Sequence, residues 1–173
     1  MRYSLLFVSL GFAILSTGCE KPVDMEKEKA AIIEVINLET KAYLARDFDA
    51  MFATHVQDSS NMRLTAGADN YVFLEGWEEV SKHMTGDETE DELGTDLHIS
   101  VDKSNYRIKL YPNSAFVVCD QKWTANFGDD VTEINSIQVR ILDKIDGEWK
   151  ISFVSFIGTS GYAEMEETEE LED

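Results

Sequence analysis

Asp146-Gly147-Glu148-Trp149-Lys150-Ile151 is the stretch on which the fold turns. An Asp-Gly pair supplies two consecutive residues that tolerate positive φ, which the tightest β-hairpin turns require. Working outward, Gly128-Asp129-Asp130 and Pro112-Asn113 give the same punctuation further upstream. These separators divide the second half of the chain into four strands, 97–111, 115–126, 131–143 and 148–158, with a side-chain period of two. Consecutive strands joined by tight turns predict an antiparallel meander.

Upstream the period changes from two to that of a helix. Over 25–46, Ile32, Val35, Ile36 and Tyr43 recur at helical spacing, and Ala31, Leu38 and Ala42 widen the stripe. Asp47 breaks this long helix and caps a short second one, from Phe48 to about His55, whose Phe48, Met51 and Phe52 share a face. A short strand at 61–65, a loop at 66–70 and extended chain at 71–74 follow. A third helix opens at Gly76-Trp77, with Trp77, Val80 and Met84 on one face. Three helices ahead of a curved meander make an α+β domain in which the helices cover one face of the sheet. No internal repeat is present.

The beginning of the chain reads as a targeting segment. Met1-Arg2-Tyr3-Ser4, the apolar run 5–15 and Ser16-Thr17-Gly18-Cys19 have the outline of a signal peptide. The run is too short for a membrane span, which needs about 20 apolar residues. Small residues directly before a Cys resemble the lipobox of bacterial lipoproteins. That resemblance implies cleavage before Cys19 and acylation of its thiol, which would tie the chain to a membrane. Ser16 stands where the lipobox prefers Leu, with Leu15 one place earlier, and simple secretion is the competing reading. The expected organisation is a leader at 1–18, a tether at 19–24, a domain at 25–158 and an acidic disordered tail at 159–173. The expected location is extracytoplasmic, on a periplasmic face or the cell surface.

Charge excludes further classes. Asp and Glu number 34 against 15 Lys and Arg, a formal net charge of −19. Such a surface repels phosphate backbones, so no nucleic-acid partner is expected. Asp87-Glu88-Thr89-Glu90-Asp91-Glu92 reads as a solvated loop, because it lacks the spacing and central Gly of an EF-hand. His55, His83 and His98 have no zinc-ligand spacing, and neither a metal nor a cofactor is expected. With Cys19 acylated, Cys119 has no disulfide partner, and its run Ala115-Phe116-Val117-Val118-Cys119 predicts a buried, inert thiol. Nucleophile triads, phosphate-binding Gly loops and dinucleotide fingerprints are missing.

The order of elements, together with Glu39-Thr40-Lys41-Ala42-Tyr43-Leu44-Ala45-Arg46-Asp47-Phe48-Asp49, Gly76-Trp77 and Asp146-Gly147-Glu148-Trp149-Lys150-Ile151, resembles the NTF2-like superfamily. The similarity is to its SnoaL-like and DUF4440-type branches and spans about 25–158. It implies a cone, a strongly bent sheet wrapped around helices with a pocket at the open end, often in a homodimer that pairs sheets. Members include isomerases, dehydratases, cyclases, ligand binders and association modules, so the fold alone does not fix a function.

Glu39 is the most informative single position. On a helical wheel it falls among Ile32, Val35, Ile36 and Tyr43, and a carboxylate there must be paired, hydrogen-bonded or protonated. It reads either as a structural ion-pair partner, for instance of Arg63 or Arg140, or as a general base or ligand anchor with a raised pKa. His55 and Asp58, three residues apart, offer a possible acid-base pair beside Arg63. Gln121 and Trp123 share a strand face with Val117 and Cys119 and, with Glu39, Tyr43 and Arg63, form the expected ligand-binding set. The leading expectation is a lipoprotein whose cone binds a small, largely apolar molecule. The alternatives are an isomerase, dehydratase or hydrolase using Glu39 or His55 and Asp58, and a homodimerisation module without catalysis.

Overall fold

Asp146 and Gly147 reverse the chain with left-handed backbone, φ 52° and 87°, and the strands on either side pair from Ile145↔Glu148 onward. The computed structural model describes residues 24–67, 70–86, 97–127 and 130–158. The acidic block, the tail and Cys19 lie outside the described residues. Three helices are present among them: α1 Met25–Leu44, α2 Phe48–Ala53 and α3 Trp77–Thr85. Six strands accompany them: β1 Met62–Ala66, β2 Tyr71–Glu75, β3 Leu97–Leu110, β4 Ser114–Phe127, β5 Asp130–Ile145 and β6 Glu148–Gly158.

Local chemistry explains the helix boundaries. Asp24 caps α1 by accepting from the Lys27 backbone N–H at 3.2 Å, and Asp47 caps α2 through Ala50 at 3.0 Å. Gly76, at φ 88°, turns the chain into α3. The strands form one sheet in the order β2-β1-β6-β5-β4-β3. β3 to β6 are the antiparallel meander, but β1 runs parallel to β6, from Met62↔Phe153 to Ala66↔Ile157. The sheet is therefore mixed rather than wholly antiparallel. The β1–β2 hairpin reaches β6 through the rest of the chain and not through a tight turn, so no hairpin fixes its direction. Register shifts at Ser104/Arg107 and Ile141/Leu142 lie in the long strands, where such irregularities bend a sheet.

α1 lies in the curve of that sheet. Ile32 and Ile36 are fully buried against Val117, Leu142, Ile151 and Val154. Nearer the other end of α1, Ala42 joins Met51, Val80 and Met84 in a second cluster that ties α2 and α3 together. The buried stripe of α1 is Ile32, Ile36, Glu39 and Ala42, narrower than the sequence suggested. Leu38, 46% exposed, lies off that stripe, whereas Tyr43 continues it by helical spacing and is 43% exposed because it faces the open cavity beyond the packed core. At the start of α1, Glu28 accepts from Trp149 Nε1 at 2.7 Å and from Lys144 Nζ at 2.6 Å. This fastens the first turns of α1 to the strands that the Asp146-Gly147 turn joins.

Candidate ligand site in the cone

β5 carries Ser136, Gln138 and Arg140 on its inward face, and all three are buried, while Ile137 and Ile141 point outward and are exposed. This is the reverse of the usual arrangement, and it places a polar floor inside the cone. Gln121 of β4 pairs in register with Ser136 and lies on the same face. From α1, Glu39 descends onto this floor. Arg140 is 1% exposed and Glu39 6%, and Arg140 Nη2 donates to Glu39 Oε2 at 3.1 Å.

The contact belongs to a longer chain of hydrogen bonds. Arg140 donates from Nε and Nη2 to Gln138 Oε1 at 3.1 and 3.0 Å, and Gln138 Nε2 donates to Gln121 Oε1 at 2.6 Å. On the other side, Thr40 Oγ1 lies 3.3 Å from Glu39 Oε2 and accepts from Lys103 Nζ. His55 Nε2 stands 3.8 Å from Glu39 Oε1. That is an electrostatic contact rather than a hydrogen bond, and neither imidazole nitrogen has a hydrogen-bond partner.

Burial pushes the Glu39 carboxyl up, but the guanidinium of Arg140, with help from Lys103, outweighs it and holds the group well below the usual carboxylate range. Glu39 is thus ionised at neutral pH and poorly suited to accept a proton. Burial lowers the pKa of His55 against the opposing pull of Glu39, so its imidazole is neutral at pH 7. Burial and the nearby Arg140 bring the Lys103 ammonium down to about 8.

Above the floor opens a cavity of about 1010 Å³, walled by Tyr43, Phe48, Met51, Trp123, Ile134 and Phe156. Tyr43 and Trp123 meet edge to face at 5.9 Å. Arg63, from β1, reaches in with its guanidinium 4.6 Å above the Phe156 ring. Of the residues singled out from sequence, Glu39, Tyr43, Arg63, Gln121 and Trp123 all line this cavity.

The suggested pairing of His55 with Asp58 does not form. His55 is buried, with its ring 5.7 Å from that of Trp77, and is not among the residues that line the cavity. Asp58 is exposed and accepts from the backbone N–H and hydroxyl of Ser60 at 2.7 and 2.6 Å, which lowers its pKa. The short aspartate side chain closes its own turn, a common local alternative for that residue. His83 and His98 both border the cavity and are exposed, and no cluster of three metal-ligating groups exists among the described residues. Cys119 is fully buried, and burial pushes its thiol up. Sequence reasoning missed Gln138, Ser136, Thr40 and Lys103. The signal for the first two was the polar set Ser136, Gln138, Arg140 alternating with Ile137, Val139 and Ile141.

No protein-family model matches the chain, and no curated protein matches it in sequence. Solved structures do match. An NTF2-like protein with a cystatin-like fold from Novosphingobium aromaticivorans superposes with a TM-score of 0.64 at 13% identity, covering 86% of this chain and 91% of its own. An NTF2-like protein of unknown function from Shewanella oneidensis gives 0.55 at 20% identity, covering 75% of this chain and 98% of its own. A ketosteroid isomerase-like protein from Erwinia carotovora gives 0.54 at 16% identity, covering 78% and 98%. At these identities the likeness speaks for backbone architecture and not for activity. Together with the three helices seated in a bent six-stranded sheet, it establishes that this chain has the NTF2-like α+β cone fold.

Proposed function

We propose that this chain is an exported lipoprotein, anchored through Cys19, whose cone binds a small, largely apolar molecule. The observation that carries the binding reading is the cavity of about 1010 Å³, whose walls include Tyr43, Phe48, Met51, Trp123, Ile134 and Phe156 and whose floor carries Glu39, Gln121, Gln138 and Arg140. That is the usual composition of a small-molecule site: apolar area supplies affinity and a few placed polar groups supply orientation. The locked Glu39–Arg140 pair supports binding over proton transfer, since a carboxylate held ionised by a guanidinium is a weak base.

The test is direct. Naphthalene-sized compounds, charged and uncharged, are titrated into the full chain while Tm is followed. A ligand of the native state raises Tm with concentration, and Trp123→Ala should weaken the response. No rise with any of the compounds would sink the binding reading.

An enzymatic reading, as an isomerase, dehydratase or hydrolase, is favoured by one observation, the approach of neutral His55 to ionised Glu39 at 3.8 Å beside the cavity. It requires His55 to act on a bound substrate, yet Glu39 lines the cavity and His55 does not. Turnover of a cavity ligand that is lost in His55→Phe would establish it. We also infer that two chains pair through the outer face of the sheet, where Phe116, Ile137 and Ile141 are exposed.

A further inference from the structure

The cavity holds more positive charge than the protein answers. Among the described residues that line it, Glu39 is the one carboxylate, whereas Arg46, Arg63 and Arg140 are all cations. Glu39 is committed to Arg140. Arg46 is exposed and sits 5.9 Å from the Phe48 ring centre. Arg63 forms no ion pair among the described residues. Its Nε is buried without a hydrogen-bond partner. A guanidinium in such a place is costly unless something neutralises it, and the one carboxylate that acts on it, Glu39, is already engaged by Arg140.

The surroundings repeat the pattern. Arg140 Nη1 and the Gln121 side-chain nitrogen are also buried without partners, so spare donors lie beneath the same cavity surface. Strand register explains their proximity. Arg63 and Arg140 both pair with Val154, one from each side of β6. Residues in one row share a face, and two strand spacings separate their backbones by about 10 Å. Long arginine side chains on that row reach a common volume.

We propose that the cavity takes a small-molecule monocarboxylate, its carboxylate group against Arg63 and its apolar or aromatic body between Tyr43, Trp123 and Phe156. This rests on the reading of the cone as a small-molecule site. The planar fork of a guanidinium matches the two oxygens of a carboxylate. Of the two cations left without a carboxylate, Arg46 is exposed and Arg63 alone keeps a buried, unpartnered guanidinium nitrogen, and a single fork of that kind matches the single negative charge of a carboxylate. Aromatic walls select against a small hydrophilic acid, since they offer apolar contact rather than further hydrogen bonds.

The experiment compares isosteres that differ in charge. The full chain is titrated calorimetrically with 2-naphthoate and with uncharged 2-naphthamide, and the pair is repeated for Arg63→Gln and Arg63→Lys. The expected result is at least a tenfold tighter Kd for the carboxylate, a figure of the order a charge-assisted hydrogen bond provides. The preference should vanish in Arg63→Gln and persist in part in Arg63→Lys. Equal affinity for both compounds in the unsubstituted chain overturns the carboxylate and leaves the small-molecule site standing. Binding of neither overturns both. A preference that survives Arg63→Gln overturns the role of Arg63. If Arg63→Gln does not fold, Arg63→Lys decides, because loss of the bidentate fork must narrow the preference and an unchanged ratio overturns the assignment.

Discussion

At the scale of single residues, the pair Glu39–Arg140 governs the interior. Both side chains are almost wholly removed from solvent, so truncating one leaves the other as an uncompensated buried charge. Glu39→Gln is expected to destabilise the fold by about 3–5 kcal/mol, read from urea unfolding at neutral pH. The pH dependence has a definite sign. Because the folded pKa of Glu39 is depressed, its contribution is complete above the unfolded value of about 4.3 and is lost as pH falls through the folded value. The gap between wild type and Glu39→Gln should therefore narrow below about pH 4. A gap that stays constant from pH 7 to pH 3, or a variant as stable as wild type, contradicts this account. His55, buried neutral with a lowered pKa, adds a separate loss of stability as pH drops below about 6.5. Glu39 was legible in the sequence because Ile32 and Ile36 mark its face of α1 as buried. Its partner was legible only as one of two arginines, since Glu39 and Arg140 lie 101 residues apart and helical periodicity carries no information across that distance.

At the scale of elements, turn chemistry made the strands readable. Asp146 and Gly147 adopt the left-handed backbone that a two-residue hairpin needs. Nothing lies within 4 Å of a Cβ built on Gly147, so Gly147→Ala isolates the backbone cost without a clash. We expect about 1–2 kcal/mol of destabilisation, measured by thermal unfolding. Gly158→Ala is the control: its added Cβ would meet only the Ala66 carbonyl oxygen, at an ordinary 3.7 Å, and should leave stability nearly unchanged. A Gly147→Ala protein as stable as that control would mean the hairpin tolerates another turn. The facing of β5 was not legible. A period of two says that alternate residues share a face but not which face is the core, and the habit of placing isoleucine inside gives the wrong answer here. Gln138 and Arg140 face inward where Gln121 and Glu39 partner them, and Ser136 shares that face with its hydroxyl unpartnered. The parallel β1–β6 pairing was hidden for a different reason, since no local turn connects those strands.

At the scale of the whole molecule, the inverted β5 leaves an apolar outer surface. Phe116 pairs across the sheet with Ile141, which pairs in turn with Phe153 on the same side. Under the proposed pairing of sheets, the chain sediments as a dimer, and Ile137→Glu with Ile141→Glu should convert it to a monomer, because charged groups would have to be desolvated at the contact. A dimer unaffected by both changes places the contact elsewhere. Anchoring has its own test. Cys19→Ser should abolish acylation and release the protein from the membrane fraction, and continued membrane association would assign the anchoring to the leader itself. The fastening of Glu28 to Lys144 and Trp149 then acquires a directional meaning. It holds the beginning of α1 at the closed end of the cone, while Thr40, Tyr43 and Leu44, at the other end of the same helix, border the cavity. A helix of 20 residues is about 30 Å long, and four residues lie between Cys19 and Asp24, a reach over five Cα steps of at most about 18 Å. On the proposed anchor, the molecule stands on the bilayer like a cup on a short stem, base down and opening toward the aqueous compartment. Cargo would arrive from solution above rather than by sideways escape from the lipid.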